Sequence, residues 1–573
     1  MIYSTDSELY WCRNVGWRLF EDPVRIAASD HANAIDLFHI EERGASGERW
    51  LILGSGKLAM TSGEDTYRDY YARRIHVMLG APIRVDLGDP VPYTLEGVIA
   101  EPAHHPTFHL APGSYSVATG ETFPWNLYYG ARVEGSMGTL VDAGAENAMS
   151  SVGLREAVAF ENRMRGGTYS RPVWGSSRLE VKRLRIRTTA DAINMRSYGD
   201  VILRDVEVEG ARAGVLLGLR GLTWSDPVNF VDMERCTFTN CTTAIEMPNR
   251  SLYREVKLRD SHFEGNGKAL QLSDRSQWTV TNCRFLGNQR AVQAFAWRTC
   301  TGGPCAPGEW LDLDLLGCHF EGNQEHLLLV SQPPASSNLR VNLWHDTIVG
   351  GGVGIWSSQP GVESGAIRVR NSILFPGGPM TSGNFALLDI GFCSVSDPAR
   401  QGVNGNLGLT PDFALSARDG HLVVNTALRN HGIAPPAAAL RDLDGDRRGQ
   451  DGGFDLGADE VRVPALLGEP VVARGSASAL GVLASGPGAA LLFLAAEAPL
   501  ATPLFGALLQ VDPTSLATVA LPVALDARGV GRVPFTAPAP ALYPAPELYA
   551  QAFLLELGAS SPRLTSLRRI RFR

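Results

Sequence analysis

The sequence predicts an all-β protein, a solenoid of three short strands per coil followed by an antiparallel β-sandwich, on three observations. The first is an apolar position that recurs as Ile186, Val208, Phe238, Phe263, Phe285, Phe320, Ile348 and Leu374. The second is a pair of further columns at fixed offsets from it. Val181, Leu203, Met233, Leu258, Val280, Leu315, Leu343 and Val369 come five residues earlier, and Ile193, Val215, Ile245, Leu270, Val292, Leu327 and Ile355 seven residues later. The third is a shift past Val461 to short runs rich in Ala, Leu and Pro.

Val208 follows Ile186 by 22 residues, as Phe285 follows Phe263, and a fixed period of that size marks a repeat architecture. Within each repeat, apolar and polar residues alternate, as in Cys283-Arg284-Phe285, and β-branched or aromatic residues dominate, which is strand rather than helix periodicity. One repeat alone cannot bury its apolar face, so coils must stack at roughly 4.8 Å. The length variation falls at one corner: 10 residues separate Ile193 from Leu203, and 23 separate Val292 from Leu315. A second corner is tight and reads Gly-Asn at 265–266, 287–288 and 322–323, residue types that tolerate a left-handed bend. Asn266, Asn288 and Asn323 are then placed to bond one another along the coil.

This pattern resembles the right-handed parallel β-helix of the pectate-lyase-like superfamily, with its asparagine ladder, over about two hundred residues. The fold it implies hosts lyases, hydrolases, phage spikes and inert surface proteins, so function has to be read from the site.

Residues 1–95 have no clear fold; Arg49–Leu53 reads as a strand and Arg68–Met78 as a helix. The β-helix is placed at 96–460, its opening coils at FHLAPGSYSVATGETFPWNLYYGARVEGS from Phe108. His104, His105 and His109 lack an acidic or cysteine partner at ligand spacing and read as solvated loop histidines. Beyond Leu374 the chain runs through DLDGDRRGQ and DLGADE, similar to the tail of bacterial surface β-helix proteins of the choice-of-anchor type. The residues that carry this are Asp442, Asp444, Gly445 and Arg448, then Asp455, Gly457, Ala458 and Glu460. The similarity implies an extracellular or cell-surface protein. Asp442, Asp444 and Asp446 also suggest calcium, but Arg447 and Gly453 stand where a calcium loop of the EF-hand type needs Gly and Glu. A structural cap with Asp–Arg pairing is the stronger expectation, with a calcium-stiffened turn as the lesser one. From 461 to 573 six strands are expected: Ala489–Ala496, Leu504–Val511, Val519–Leu525, Val530–Phe535, Leu548–Leu557 and Leu567–Arg573. Such a unit would anchor the chain or cap the open strand edges of the solenoid.

A net charge of −8 with 20% charged residues and 61 glycines excludes a basic nucleic-acid binder and suits a secreted β-protein. There is no apolar run of about 18 residues, so no transmembrane helix is expected. The first residues lack the layout of a secretion signal, as if one had been removed or the start lay elsewhere. Cys236, Cys283 and Cys318 share an inward column with Ser261 and Ser372 and read as small core side chains, whereas Cys300 and Cys305, across Thr-Gly-Gly-Pro, suggest a loop disulfide.

The resemblance places a substrate groove on the strand after the long-loop corner. Its outward residues are Asp232 and Glu234, Lys257 and Arg259, Thr279 and Thr281, Asp314 and Leu316, Asn342 and Trp344, then Arg368 and Arg370. An acidic polysaccharide would meet the cations as carboxylate partners and Trp344 as a stacking platform. In a lyase, Lys257 would be the base if Arg259 lowered its pKa, with Asp232 or Asp314 holding calcium. In a hydrolase, Asp232, Glu234 and Asp314 would supply the two carboxyl groups, but Asp232 and Asp314 are roughly 14 Å apart at strand spacing. Inverting pairs need about 6.5–9.5 Å. A second outward face carries His262, Arg284 and His319 beside Glu264 and Glu321. Each face also reads as a solvated ladder of alternating charge. The polygalacturonase and pectate-lyase signatures are absent, and Trp344-His345-Asp346 only echoes one, since Asp346 falls on an inward column. The sequence therefore leads to an adhesin-like contact with extracellular polysaccharide, with a polysaccharide lyase or hydrolase and a structural spacer as alternatives. It leaves the oligomeric state open.

Overall fold

Removing apolar side chains from water is what holds stacked coils together, and every member of the three columns is buried. The computed structural model describes eight short strands before residue 107 and, from there on, the chain apart from loop segments. The longest of those segments are 153–177, 218–227, 297–310, 332–338, 358–365, 511–517 and 539–546. The chain divides into two compact units. The first is Met1–Trp278, Val292–Asp312 and Val330–Asn338; the second is Thr279–Ala291, Leu313–Leu329 and Leu339–Arg573.

In the first unit the expected opening coils form: Thr107–Leu110, Gly113–Ser116 and Trp125–Tyr128 pair in parallel with Arg132–Glu134, Thr139–Gly144 and Met149–Val152. Val181, Leu203, Met233 and Leu258 then stand in successive register, as do Ile186, Val208, Phe238 and Phe263. Ile193, Val215, Ile245 and Leu270 complete the third column. The Phe238 and Phe263 rings stack with centroids 5.2 Å apart and planes 7° apart. Such a pair adds about 0.5–1.5 kcal/mol to area burial.

The second unit repeats the scheme. Phe285, Phe320, Ile348 and Leu374 are in register, and the Phe285 and Phe320 centroids are 4.7 Å apart. The Gly-Asn corner forms as expected, with Gly287 and Gly322 left-handed and Asn288 and Asn323 buried behind them. Asn288 donates both its backbone N–H and its side-chain amide to Asn323 Oδ1, each at 2.9 Å, and Asn323 donates to the Phe285 carbonyl. In the first unit, Asn266 accepts from the Cys241 N–H and donates to the Phe238 carbonyl.

Another corner is absent from the sequence reading. Two residues after each second-column position the backbone is left-handed: Arg183, Asp205, Arg235 and Asp260 in the first unit, Asn282, Gly317, His345 and Asn371 in the second, with φ between 49° and 66°. Five of the eight are Asp, Asn or Gly, types that tolerate this backbone, but Arg183, Arg235 and His345 interrupt the pattern. Non-glycine residues in this region cost of order 1–3 kcal/mol, and the paired strands on both sides offset it.

The inward column of small residues is as expected: Cys236 in the first unit and Cys283, Cys318 and Cys393 in the second are buried cysteines. Asp346 occupies the same column, wholly buried, with Oδ1 accepting from the Cys318 N–H at 2.7 Å. Burial pushes its carboxyl well above the usual carboxylate range, against the Cys318 N–H and the Arg448 charge, which lower it.

The chain ends in two antiparallel sheets, both in the second unit, compatible with the expected sandwich. One is ordered Ala465–Leu467, Ala477–Leu483, Val530–Thr536. In the other, Gly488–Ala495 lies between Thr518–Leu525 and Glu547–Glu556, and Arg568–Phe572 pairs with the latter. Leu480, Val482, Leu492, Ala552, Leu554 and Ile570 share one core. Five of the six expected strands appear within two residues of their expected ends. Where Leu504–Val511 is expected as one strand, a short hairpin pairs Thr502–Leu504 with Ala507–Leu509.

The helix expected at Arg68–Met78 is corrected at its start. Asp65–Tyr70 is a strand paired antiparallel with Lys57–Ser62, and its Thr66, Tyr67 and Tyr70 are residue types that favour strands. The rest of that helix, Arg49–Leu53, His104, His105, Cys300 and Cys305 lie outside the described residues. Among the described residues, no helix is long and apolar enough to cross a membrane.

Candidate functional site

The expected groove face of the first unit lies on Gly199–Glu209, Val228–Glu234 and Arg254–Arg259, where pairing places Asp232 against Lys257 and Glu234 against Arg259. The side chains close on one another. Arg204 bonds the Asp232 carboxylate and carbonyl, Arg259 reaches Asp232 Oδ1 at 2.9 Å, and both arginines approach Glu234. Arg235 joins Glu234 to Asp205. Burial acts to raise the Asp232 carboxyl, but the hydrogen bonds and charges of Arg204 and Arg259 outweigh it and hold it below the usual range. An Asp held as a carboxylate between two arginines is a poor proton donor.

Lys257 turns from this network toward Glu255, 2.7 Å away, with its ammonium 5.1 Å from the centre of the Phe230 ring. Arg259 is engaged with the two carboxylates, so the Lys257–Arg259 couple drawn for a lyase is not assembled as a base and its activator.

In the second unit the outward row is more open. Asn342 stands in register with Arg368 and Asp389, and Trp344 with Arg370. Asn342 donates to Asp314 at 2.8 Å. The Arg370 guanidinium bonds the Asp389 carboxylate and carbonyl, while Arg368 lies 3.9 Å from that carboxylate with its side chain 56% exposed. Trp344 is half-buried. This row unites an aromatic ring, amide and carboxylate groups, and an accessible guanidinium.

The second outward face differs from its expected open state. In the first unit His262 is buried, with Nε2 3.1 Å from Glu264. In the second unit Arg284 and His319 pair on adjacent strands, and His319 is wholly buried. The reason is the chain beyond Leu374. Arg284 donates to the Asp419 carbonyl at 2.8 Å, and Gly420 lies so close to His319 that a Cβ there would meet the imidazole at 3.2 Å. Burial, reinforced by the Arg284 charge, pushes the His319 imidazole down to about 3. The Ala417 carbonyl is an acceptor acting on that ring, although neither nitrogen forms a hydrogen bond of good geometry. As substrate-binding groups Arg284, His319 and His262 are therefore corrected: none presents an open surface.

Around Arg284 lie Asp419, His421, Asp459 and Arg568, to which the sequence assigns no role, together with Asp444. His421 bridges Asp419 and Asp444, with Nδ1 2.8 Å from the first and Nε2 2.6 Å from the second. Arg568, from the last strand, bonds Asp444 at 3.0 Å and the Leu466 carbonyl at 2.7 Å. A ring nitrogen of His421 and carboxylate oxygens of Asp444 and Asp459 lie within 4.8 Å of one another. Arg568 and Arg284 already bring positive charge to Asp444, so the cluster is composed as an ion-pair network, with cations on both sides, rather than as a set of free donors for a metal. Nothing local in Asp419-Gly420-His421 announces this, because its partners are 23 to 147 residues away.

The aspartates considered for calcium are engaged as well. Asp442 Oδ1 accepts the N–H groups of Asp444 and Asp446, and its Oδ2 accepts from Glu460. Asp446 pairs with Arg462, and Arg448 approaches Glu460 at 3.6 Å. Asp455 accepts from Asn430 and Val461, both at 2.7 Å. These are carboxylate–arginine pairs and turn-closing bonds within the segment. Burial and the neighbouring Asp444 push the Asp442 carboxyl up to about 7.

A family model described as right handed beta helix region matches residues 107–285 and 172–373. The fold is a right-handed parallel β-helix. No curated protein and no solved structure matches the chain.

Proposed function

We propose that this β-helix protein works outside the cell or at its surface and contacts extended polysaccharide as a binder. The contact row is Asp314, Asn342, Trp344, Arg368 and Arg370. The observation that carries this reading is the Arg368 guanidinium, 56% exposed on the outward row that also carries a half-buried Trp344, one outward position along on the neighbouring strand. The face repeats at about the pitch of stacked coils. Indole and guanidinium together suit a sugar ring that carries a carboxylate. A binder is favoured over a lyase or hydrolase because Asp232 and Glu234 are committed to arginines and Lys257 to Glu255.

Affinity electrophoresis against acidic and neutral polysaccharides, with and without calcium, tests it, coupled to mass spectrometry of released products. Retention by an acidic polymer without products is expected. Trp344→Ala and Arg368→Ala should each weaken it about tenfold, equivalent to roughly 1.4 kcal/mol. No retention by any polymer would end the proposal. Unsaturated products that vanish in Lys257→Ala would make the protein a lyase instead.

A further inference from the structure

We propose that His421 is a proton-dependent latch, a buried imidazolium that ties the segment beyond the coils to the coil wall and to the last strand of the chain. The geometry is that of a cation with both nitrogens donating to carboxylates: Nδ1–H to Asp419 at 2.8 Å and Nε2–H to Asp444 at 2.6 Å. A neutral imidazole has one N–H and would leave one of these short contacts as lone pair against lone pair.

Each partner belongs to a different piece of the second unit. Asp419 also accepts the Gly468 N–H at 2.7 Å, at the entry to the terminal sheets. Asp444 holds Arg568 of the last strand and faces Arg284 of the coil at 3.8 Å. Asp459 faces the ring from the loop before Val461, and His319 stands behind Arg284 on the next coil. The charged set around the ring is thus Asp419, Asp444 and Asp459 against Arg284 and Arg568. Asp419 and Asp444 bind the ring directly, and His319 is the neutral neighbour. Burial alone would lower the His421 pKa, but Asp419, Asp444 and Asp459 outweigh it and hold it well above the ordinary value, while burial raises Asp459. Because the folded value is raised, the stabilisation is complete below the unfolded histidine value of about 6.5 and is lost as pH rises through the folded value. Alkaline pH therefore loosens the segment from the wall at Arg284 and His319.

The first measurement uses the full chain with 15N-histidine labelling. At pH 8 at least one of the 12 histidines should remain doubly protonated; a spectrum in which every histidine is neutral at pH 8 overturns the proposal. The second is hydrogen exchange of residues 412–461 between pH 6 and pH 10, after correction for intrinsic exchange. Wild type should lose protection there as pH rises. His421→Gln should be less protected at pH 6 and show at least half of that pH dependence removed. A variant as pH-dependent as wild type overturns the latch. If His421→Gln does not fold, the labelled wild-type spectrum still decides.

Discussion

Arg204, Asp232, Glu234 and Arg259 in the first unit and Arg284, Asp419, His421 and Asp444 in the second are both networks of alternating charge on the outside of a coil. They meet very different solvation. The first is only partly closed to water, with Arg259 43% exposed beside a nearly buried Asp232, and a partly open pair of this kind contributes about 1 kcal/mol. In the second, chain from Asp419 onward lies over Arg284 and His319, and each charge left without a partner costs several kcal/mol. Strand parity is the same in both places. What differs is whether a later part of the chain returns to cover the face, and that turns a partly open ladder into a locked one.

The largest test of this contrast is Arg284→Ala. Removing one partner of a buried ion network should cost about 3–5 kcal/mol, read as a lower urea midpoint at unchanged slope. A loss under about 1 kcal/mol would put this face on the same footing as the partly open one. Asn323→Ala separates burial from charge. It removes the acceptor of two Asn288 hydrogen bonds inside the coil and should cost about 1–3 kcal/mol, with no dependence on salt.

On the partly open face, Asp232→Asn should cost about 1–2 kcal/mol at pH 7, since it removes a charged acceptor shared by Arg204 and Arg259. Its carboxyl is held below the usual range, so its contribution is present above the unfolded value of about 3.9 and lost as pH falls through the folded one. Urea unfolding from pH 6 to pH 2 should therefore show a shallower acid limb in the variant than in wild type. The smallest effect belongs to Lys257→Ala, with its half-exposed ion pair to Glu255: a stability change within about 0.5 kcal/mol and unchanged binding to an acidic polymer. A tenfold loss of binding there would move the contact row onto the first unit.

The apolar columns were legible because burying Phe238, Phe263, Phe285 and Phe320 at one register requires apolar residues at fixed intervals. The Gly-Asn corner was legible because few other residue types tolerate it. The left-handed corner at Arg183, Arg235 and His345 was not, since the paired strands impose that backbone on whatever side chain stands there. In the outward row, strand parity located Asp232, Lys257, Trp344 and Arg368 on the face where they are found. It said nothing of Arg204 and Glu255, the partners that engage Asp232 and Lys257.

By itself the sequence determined the all-β fold, the three inward columns, the Asn corner and most strands of the terminal sheets. These follow from periodicity and residue type, which are local. Only the tertiary structure decided which outward faces remain in water, that Arg284 and His319 are covered, and that Asp419, His421, Asp444 and Arg568 meet. Those outcomes depend on contacts between residues from 23 to 135 positions apart, and such contacts leave no periodic trace in the chain.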